Sequence, residues 1–492
     1  MRRSYRLRLR PRAARRRALC SYAVPSGAAT PRAAGGQLGT IRRLRLHGRH
    51  FPPARLPIGI DAVLLAALLL AIGLRITWVL LAPVLPVSEA AFYDQHARDL
   101  INDEGFRNLT TGEPGAFLPP GYPVMLGAVY RLTVAAPVAG AMLNVAAGAV
   151  TIIFAYLLCR RLFGLPAARL TAVLLAVFPS QVLYSNALNA DLMLAALVAA
   201  LAWLALGIGP RRMPRWRILL IGAMLGAAVL TAPKSILLLP ALLIAWRQSF
   251  TWRPALRLAG TVLSVALLVI APWTLRTWFH LGEPVFVATN GGVNFWIGNN
   301  PDADGGWMTW EVGGAGWGQP VDEINTDRQF RAEALRYAVR HPDETLRRAL
   351  WKMNEKFASD FGYVAHFSIA PRGHHVPGAL TERDLQVVSE WFFRVVFLSA
   401  LLAVPGLLRR RSADARGVLA ILAALTLPSL AFFGLDRFHV PMIPFLAVLA
   451  APVLLQAVTH GALLSPAPER HAETASVRMD RAHAPAGRSH NP

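Results

Sequence analysis

The chain has 492 residues, 54% of them hydrophobic and only 16% charged, with a formal net charge of +23. Soluble domains carry about a quarter charged residues, whereas apolar stretches of roughly 20 residues, enough to span ~30 Å of hydrocarbon, recur here from residue 60 to residue 458. A water-soluble globule is excluded, and so is a nucleic-acid footprint, because residues 1–57 hold fifteen arginines and no acid, leaving +8 for everything else.

Residues 1–57 read as a basic, disordered cytoplasmic arm. A polybasic segment resting on an anionic leaflet and a start codon placed too far upstream both account for it. No apolar run ending in a small-residue cleavage site is present, so no secretory signal is expected. The transmembrane domain then runs over 58–458, and 459–492 reads as a disordered cytoplasmic tail. Its expected spans are 60–84, 136–158, 166–185, 190–208, 217–232, 235–247, 258–276, 389–408, 415–435 and 438–458. The fold class is therefore an all-α polytopic membrane protein with about ten transmembrane helices. Arg160–Arg161, Arg211–Arg217, Arg247–Arg257 and Arg409–Arg411 fall on one side, which the positive-inside rule makes cytoplasmic. Both termini are then inside, in a cell (plasma or inner) membrane, and 85–135 and 277–388 become outer loops.

Within the first loop, a helix is expected over 88–101, with Ser88 as its cap and Glu89 in its first turn. In the second, 325–341 places Phe330, Ala334, Tyr337 and Ala338 on one face, and Asp343-Glu344 restart a helix carrying Leu346, Leu350, Met353 and Phe357. Both amphipathic helices suit a membrane surface. The run 305–318 is an irregular glycine-rich loop. Cys20 and Cys159 are too few and too scattered for a disulfide framework or a zinc site.

Ionisable groups in or beside spans are costly, about 2.5–3.5 kcal/mol at the centre on insertion scales, so each is a functional candidate. Arg75 lies deepest; Asp191, Lys234, Arg276 and Asp436-Arg437 sit at outer helix ends. Snorkelling and helix anchoring account for any single one of them equally well. Together, cations on the outer face suit an anionic lipid-borne substrate, with arginine gripping a phosphate bidentately and lysine acting as a point charge.

The stretch Ser88-Glu89-Ala90-Ala91-Phe92-Tyr93-Asp94, then Gly105-Phe106, then Phe117-Leu118-Pro119-Pro120-Gly121-Tyr122-Pro123, resembles the first outer loop of GT-C glycosyltransferases. The nearest likeness is to family 39-like enzymes, which include protein O-mannosyltransferases and lipid A aminoarabinose transferases. Four later segments resemble the same group: Phe178-Pro179-Ser180 leading to Asp191; Ala271-Pro272-Trp273-Thr274-Leu275-Arg276; Thr289-Asn290-Gly291-Gly292 with Gly298-Asn299-Asn300-Pro301; and Asp436-Arg437-Phe438 with Pro441. The resemblance implies transfer of a sugar from a polyprenyl-phosphate carrier to an acceptor outside the cytoplasm, whether protein, lipid or glycan. It places the catalytic acid at Glu89, with Ser88 where relatives often carry a second acid and Leu118 where many carry a lysine.

On this reading Glu89 is the catalytic base, with Asp94 and Asp191 as secondary acids. Five residues at 100° each turn Asp94 about 140° away from Glu89 on a helix. Lys234, Arg276, Arg437 and Arg75 are the expected donor-phosphate contacts. Tyr93, Tyr122, Asn290, Asn294 and Asn299 are expected substrate contacts, although the asparagines equally suit turns in a glycine-rich loop. His366, His374 and His375 have no neighbouring carboxylate in a ligand-like pattern, so no metal site is assigned, and a divalent metal is left open. A transporter or flippase for a lipid-linked substrate is the rival reading. It predicts paired halves and midplane charges, which the pattern lacks. A non-catalytic membrane assembly protein is the third.

Overall fold

A computed structural model of the chain describes residues 61–207, 213–308, 320–376, 378, 380–409 and 412–464. The basic arm, the tail beyond 464, Arg211, Arg212, Arg410 and Arg411, and residues 309–318 of the glycine-rich run lie outside the described residues.

The described residues are helical, with an isolated Arg107–Pro114 bridge as their β pairing. Six helices are long and apolar enough to cross a membrane: Ala62–Leu81, Pro137–Phe163, Trp252–Leu281, Glu382–Arg409, Ala413–Ala431 and the segment Asp436–Thr459. Leu165–Ala176 and Pro179–Asn186 make a seventh if taken as one span bent by 51°. The chain is a multi-pass membrane protein. The expected spans 190–208, 217–232 and 235–247 appear as helices shorter than those six: Asp191–Ala205, Arg215–Thr231, and a 3-10 turn Pro233–Leu237 running into Leu238–Ser249. Pro233 accounts for that last division, since it lacks the N–H a continuing helix needs.

Small residues let the helices approach closely. Pro137–Phe163 packs on Asp191–Ala205, and the two helices bury small residues such as Ala141 and Ala147, and Ala195, Ala199 and Ala202, while Gly148 of the former faces Arg75. Such packing replaces the hydrophobic drive that lipid cannot supply between spans. Where Pro179 breaks the bent pair, the last carbonyls of Leu165–Ala176 have no helical partner. Arg75 supplies one: Nη2 donates to Leu175 O and Nη1 to Ala176 O, each at 3.2 Å. The deepest charge of the sequence is thus a cap for a broken helix.

The two loops are knitted together by Glu323, which sequence reading does not single out. Its carboxylate accepts Asn108 Nδ2 at 2.9 Å, Ala116 N at 2.8 Å and Thr289 Oγ1 at 3.0 Å. Arg276 works at the same seam, donating to the carbonyls of Gly115 and Phe106, with its guanidinium 5.2 Å from the Trp273 ring centre. Gly292 and Gly298, one from each of the Thr289–Gly292 and Gly298–Pro301 motifs, are required sterically. A Cβ on Gly292 would lie 1.8 Å from Asp327 O, and one on Gly298 1.7 Å from Phe432 O.

The helix Pro342–Phe357 is inverted relative to a soluble amphipathic helix. Leu346 and Leu350 face outward at 73% and 71% exposure, while Arg348, Lys352 and Lys356 are buried. Lys352 Nζ donates to Ala431 O at the end of Ala413–Ala431 at 3.3 Å, and Lys356 Nζ donates to Leu425 O further inside that helix at 2.7 Å. Cations at a helix C-terminus meet carbonyls that lack intrahelical donors.

Candidate functional site

Glu89 opens the helix Glu89–Ile101 as expected, but Ser88 does not cap it through its side chain. Ser88 adopts φ +51°, ψ −128°, a conformation that favours glycine. Backbone of this kind costs of order 1–3 kcal/mol and persists where its surroundings over-determine it. The strained residue lies directly before the candidate base.

The Glu89 carboxylate is held from three sides. Oε1 accepts the Tyr93 hydroxyl at 2.7 Å, one helical turn on. Oε2 accepts the Tyr363 hydroxyl at 3.4 Å and pairs with Arg437 Nη1, which also reaches the Tyr363 oxygen. Burial pushes the Glu89 carboxyl up, and the Arg437 guanidinium together with the Tyr93 and Tyr363 hydroxyls more than offsets this, so it stays below the ordinary glutamate value. At neutral pH it is ionised. Glu323, buried at the loop seam, is instead pushed up.

This cluster stands on the wall of a cavity of about 530 Å³, within the ~300–1,000 Å³ typical of ligand sites. Glu89, Tyr363 and Arg437 form one part of the lining, and Asn290, Asn294 and Trp307 another. Phe92, Phe117 and Leu118 add apolar wall. The first-loop motif, the Asn290 motif and the Asp436-Arg437 motif, far apart in sequence, therefore meet on one cavity.

Asp191 and Lys234 sit near it without lining it. Asp191 Oδ2 accepts the Tyr184 hydroxyl at 3.1 Å, and Arg437, Lys234 and Glu89 all act on it electrostatically. Lys234 Nζ lies 4.0 Å from the Phe438 ring centre, and the Arg437 guanidinium lies 5.4 Å from the same ring. Phe438 thus gathers two cations of the expected phosphate set.

Other candidates are placed elsewhere. Asp94 is paired with Arg98 at 2.8 Å and accepts the Tyr130 hydroxyl, away from Glu89 as the helical arithmetic predicts. Tyr122 is fully buried, packing edge-on against Tyr93 at 5.2 Å, with its hydroxyl 3.5 Å from Asn144 Oδ1. Asn299 Nδ2 donates to Phe295 O and Ala431 O, and its Oδ1 accepts Lys352 Nζ at 3.1 Å. Arg276 and Arg75 hold backbone carbonyls. Arg276→Ala is accordingly expected to loosen the 106–116 segment, with faster amide exchange there, while polyprenyl-phosphate binding changes less than about threefold, well below the loss of a charge-assisted contact. A large binding loss with unchanged exchange would return Arg276 to the phosphate site.

Several neighbours escaped sequence reading. Tyr363 carries no sequence signal; its position depends on the loop after Phe357. The pair Asp360–His439 lies behind the site at 2.7 Å. Lys352 and Lys356 had a faint signal in that the chain has only three lysines. Among the described residues, no group of three or more His, Cys, Asp or Glu side chains is arranged to hold a metal ion.

Residues 118–275 match the family described as dolichyl-phosphate-mannose-protein mannosyltransferase. The motif resemblance to GT-C glycosyltransferases is borne out over this stretch, which takes in Leu118–Pro123, Phe178–Ser180, Asp191, Lys234 and Ala271–Leu275. No curated protein matches the chain. Among solved structures, the archaeal oligosaccharyltransferase AglB of Archaeoglobus fulgidus, in complex with an inhibitory peptide and a dolichol-phosphate, is similar at 16% identity and TM-score 0.48, over 82% of this chain and 52% of that one. ArnT from Cupriavidus metallidurans bound to undecaprenyl phosphate is similar at 16% identity and TM-score 0.44, over 80% of this chain and 60% of that one. The chain thus spans about half the length of the first of these structures and three-fifths of the second.

Proposed function

We propose that the protein is a membrane glycosyltransferase that moves a sugar from a polyprenyl-phosphate donor to an acceptor on the non-cytoplasmic side. The observation that carries this reading is the juxtaposition of a carboxylate, Glu89, and a guanidinium, Arg437, on the wall of one cavity in a multi-pass membrane protein. The match of residues 118–275 to dolichyl-phosphate-mannose-protein mannosyltransferases supports the same chemistry.

In the proposed reaction Glu89 takes the proton of the acceptor hydroxyl as that oxygen attacks the anomeric carbon. The bond from that carbon to the phosphate oxygen breaks, and the polyprenyl phosphate leaves with the electron pair. Arg437 meets the charge that develops on it, with Lys234 as a point charge nearby. In the resting arrangement Arg437 is engaged by Glu89. An arriving phosphate competes for that guanidinium, and a carboxylate released from its cation becomes a stronger base. Donor binding and base activation are coupled in this way.

The coupling has a pH signature. The acid limb of kcat/KM reports the free enzyme, in which Arg437 keeps the Glu89 carboxyl low. Activity is therefore expected to persist down to a pH below the ordinary glutamate value of about 4.3. Replacing Arg437 leaves burial opposed only by the Tyr93 and Tyr363 hydroxyls, so the limb moves to higher pH in Arg437→Gln. A limb that stays in place when Arg437 is replaced would separate the pair functionally.

The proposed architecture keeps ten spans, with the arm 1–57 and tail 459–492 cytoplasmic and the loops 85–135 and 277–388 outside. Topology reporters fused after residue 110 or residue 340 should report the outer side, and those after 213 or 470 the cytoplasm. A cytoplasmic signal from residue 340 would put the cavity on the wrong face for an outer transferase.

A further inference from the structure

Resting on the glycosyltransferase reading, we propose that Asp360 and His439, with Ser180, form a positioning group that fixes the Arg437 guanidinium against Glu89.

His439 follows Arg437 by two residues in the 3-10 turn Asp436–Met442. Its Nε2 lies 2.7 Å from Asp360 Oδ1, with both side chains 1% exposed, and its Nδ1 lies 2.7 Å from Lys356 O. A carbonyl oxygen only accepts, so Nδ1 carries a proton. The remaining proton in the Nε2–Oδ1 bond belongs to either partner, and the pair is net neutral both ways. Its influence on Arg437 is therefore geometric.

The same turn is tied a second time, because Asp436 Oδ2 accepts Tyr363 N at 2.7 Å. Two bonds thus clamp the turn that carries Arg437 to the segment 360–363 that carries Tyr363. Those are the two groups that meet Glu89 Oε2.

Behind Arg437 lies a chamber of about 10 Å³, lined by Ser180, Asp360, Tyr363, Asp436, Arg437 and His439 among others. That is room for one water, and buried waters typically make about three hydrogen bonds to buried polar groups. Three atoms of this lining, Ser180 Oγ, Asp360 Oδ2 and Arg437 Nε, are buried without a direct hydrogen-bond partner. A water held there would link the Asp360 carboxylate to Arg437 Nε. Supports of this kind decide whether a functional group sits within the tolerance its chemistry needs.

The test uses the full-length protein in detergent, with undecaprenyl phosphate alone as the probe of Arg437. It also uses the infrared carboxylate band of Glu89, identified by difference against Glu89→Gln. Asp360→Ala and His439→Ala are expected to weaken probe binding about tenfold or more, the scale of a displaced charge-assisted contact, and to raise the pH at which Glu89 ionises. Asp360→Asn keeps a donor to neutral His439 and should bind within about threefold of wild type, since the hydrogen bond rather than the charge does the positioning. In an Arg437→Ala background, adding His439→Ala should change binding no further, the non-additivity expected of groups acting through one another. Equal losses with and without Arg437 would overturn the proposal, as would an unchanged Glu89 band in folded Asp360→Ala. If wild-type protein bound no polyprenyl phosphate, the glycosyltransferase reading would fail, while the Glu89 band would still decide the positioning claim.

Discussion

Glu89→Gln is expected to lower sugar transfer by about 10²–10⁴-fold, the contribution of a positioned general base, while leaving folding and donor binding intact. Glutamine keeps the shape of the side chain and an oxygen for the Tyr93 hydroxyl, which now bonds Oε1 at 2.7 Å. It loses the charge that pairs with Arg437 and the basicity that accepts the acceptor's proton. The guanidinium released from Glu89 is free for phosphate, so donor should bind at least as tightly as in wild type. Tight binding without turnover separates a lost base from a damaged fold. Glu89→Asp, which keeps the carboxylate on a shorter stem, should retain partial activity. A glutamine variant within about threefold of wild type, against the base contribution, would reject the assignment. Asp191 would then be tested ahead of Asp94, whose carboxylate is held by Arg98 and Tyr130.

Arg437→Ala is the second large effect, and it acts on both substrate and base. A charge-assisted hydrogen bond contributes about 1.5–3 kcal/mol, roughly 10- to 150-fold in donor affinity. Removing the cation also leaves Glu89 buried with two tyrosine hydroxyls and no counter-charge, so some ionised carboxylate is lost at neutral pH. Transfer should therefore fall further than binding. Arg437→Lys should not restore it, because one ammonium cannot reproduce the planar fork that reaches Glu89 and stacks 4.7 Å from the Tyr363 ring centre. Normal donor binding in the alanine variant would move the phosphate site elsewhere, and Lys234, which shares the Phe438 ring with Arg437, is the next cation to test.

The legible parts of this molecule were those written in local pattern. Long apolar stretches announced the spans, and helical phase placed Glu89 with Tyr93 and turned Asp94 away. Arg437 stood out because a charge at a span end is costly enough to need a reason. Arg75 and Arg276 raised the same alarm and answer it differently, by satisfying carbonyls left open at a broken helix and a loop seam. Cost alone does not distinguish a ligand contact from a cap; that depends on which acceptors the fold brings near. Tyr363, Glu323 and the Asp360–His439 pair were illegible for a related reason. Each is defined by a partner more than 30 residues away, such as Ala116 for Glu323 or Lys356 O for His439. The helix Pro342–Phe357 shows the limit of periodicity. Its apolar and cationic faces were readable, but which of them turns inward is set by carbonyls of Ala413–Ala431.

The central claim is tested most directly by incubating purified full-length protein with a polyprenyl-phosphate sugar and an acceptor mixture, following release of free polyprenyl phosphate. Wild-type protein should release lipid phosphate with matching loss of donor sugar, and Glu89→Gln should bind donor without releasing it. Movement of intact lipid-linked sugar across a reconstituted bilayer, with no lipid phosphate released, would contradict the account and identify a transporter instead.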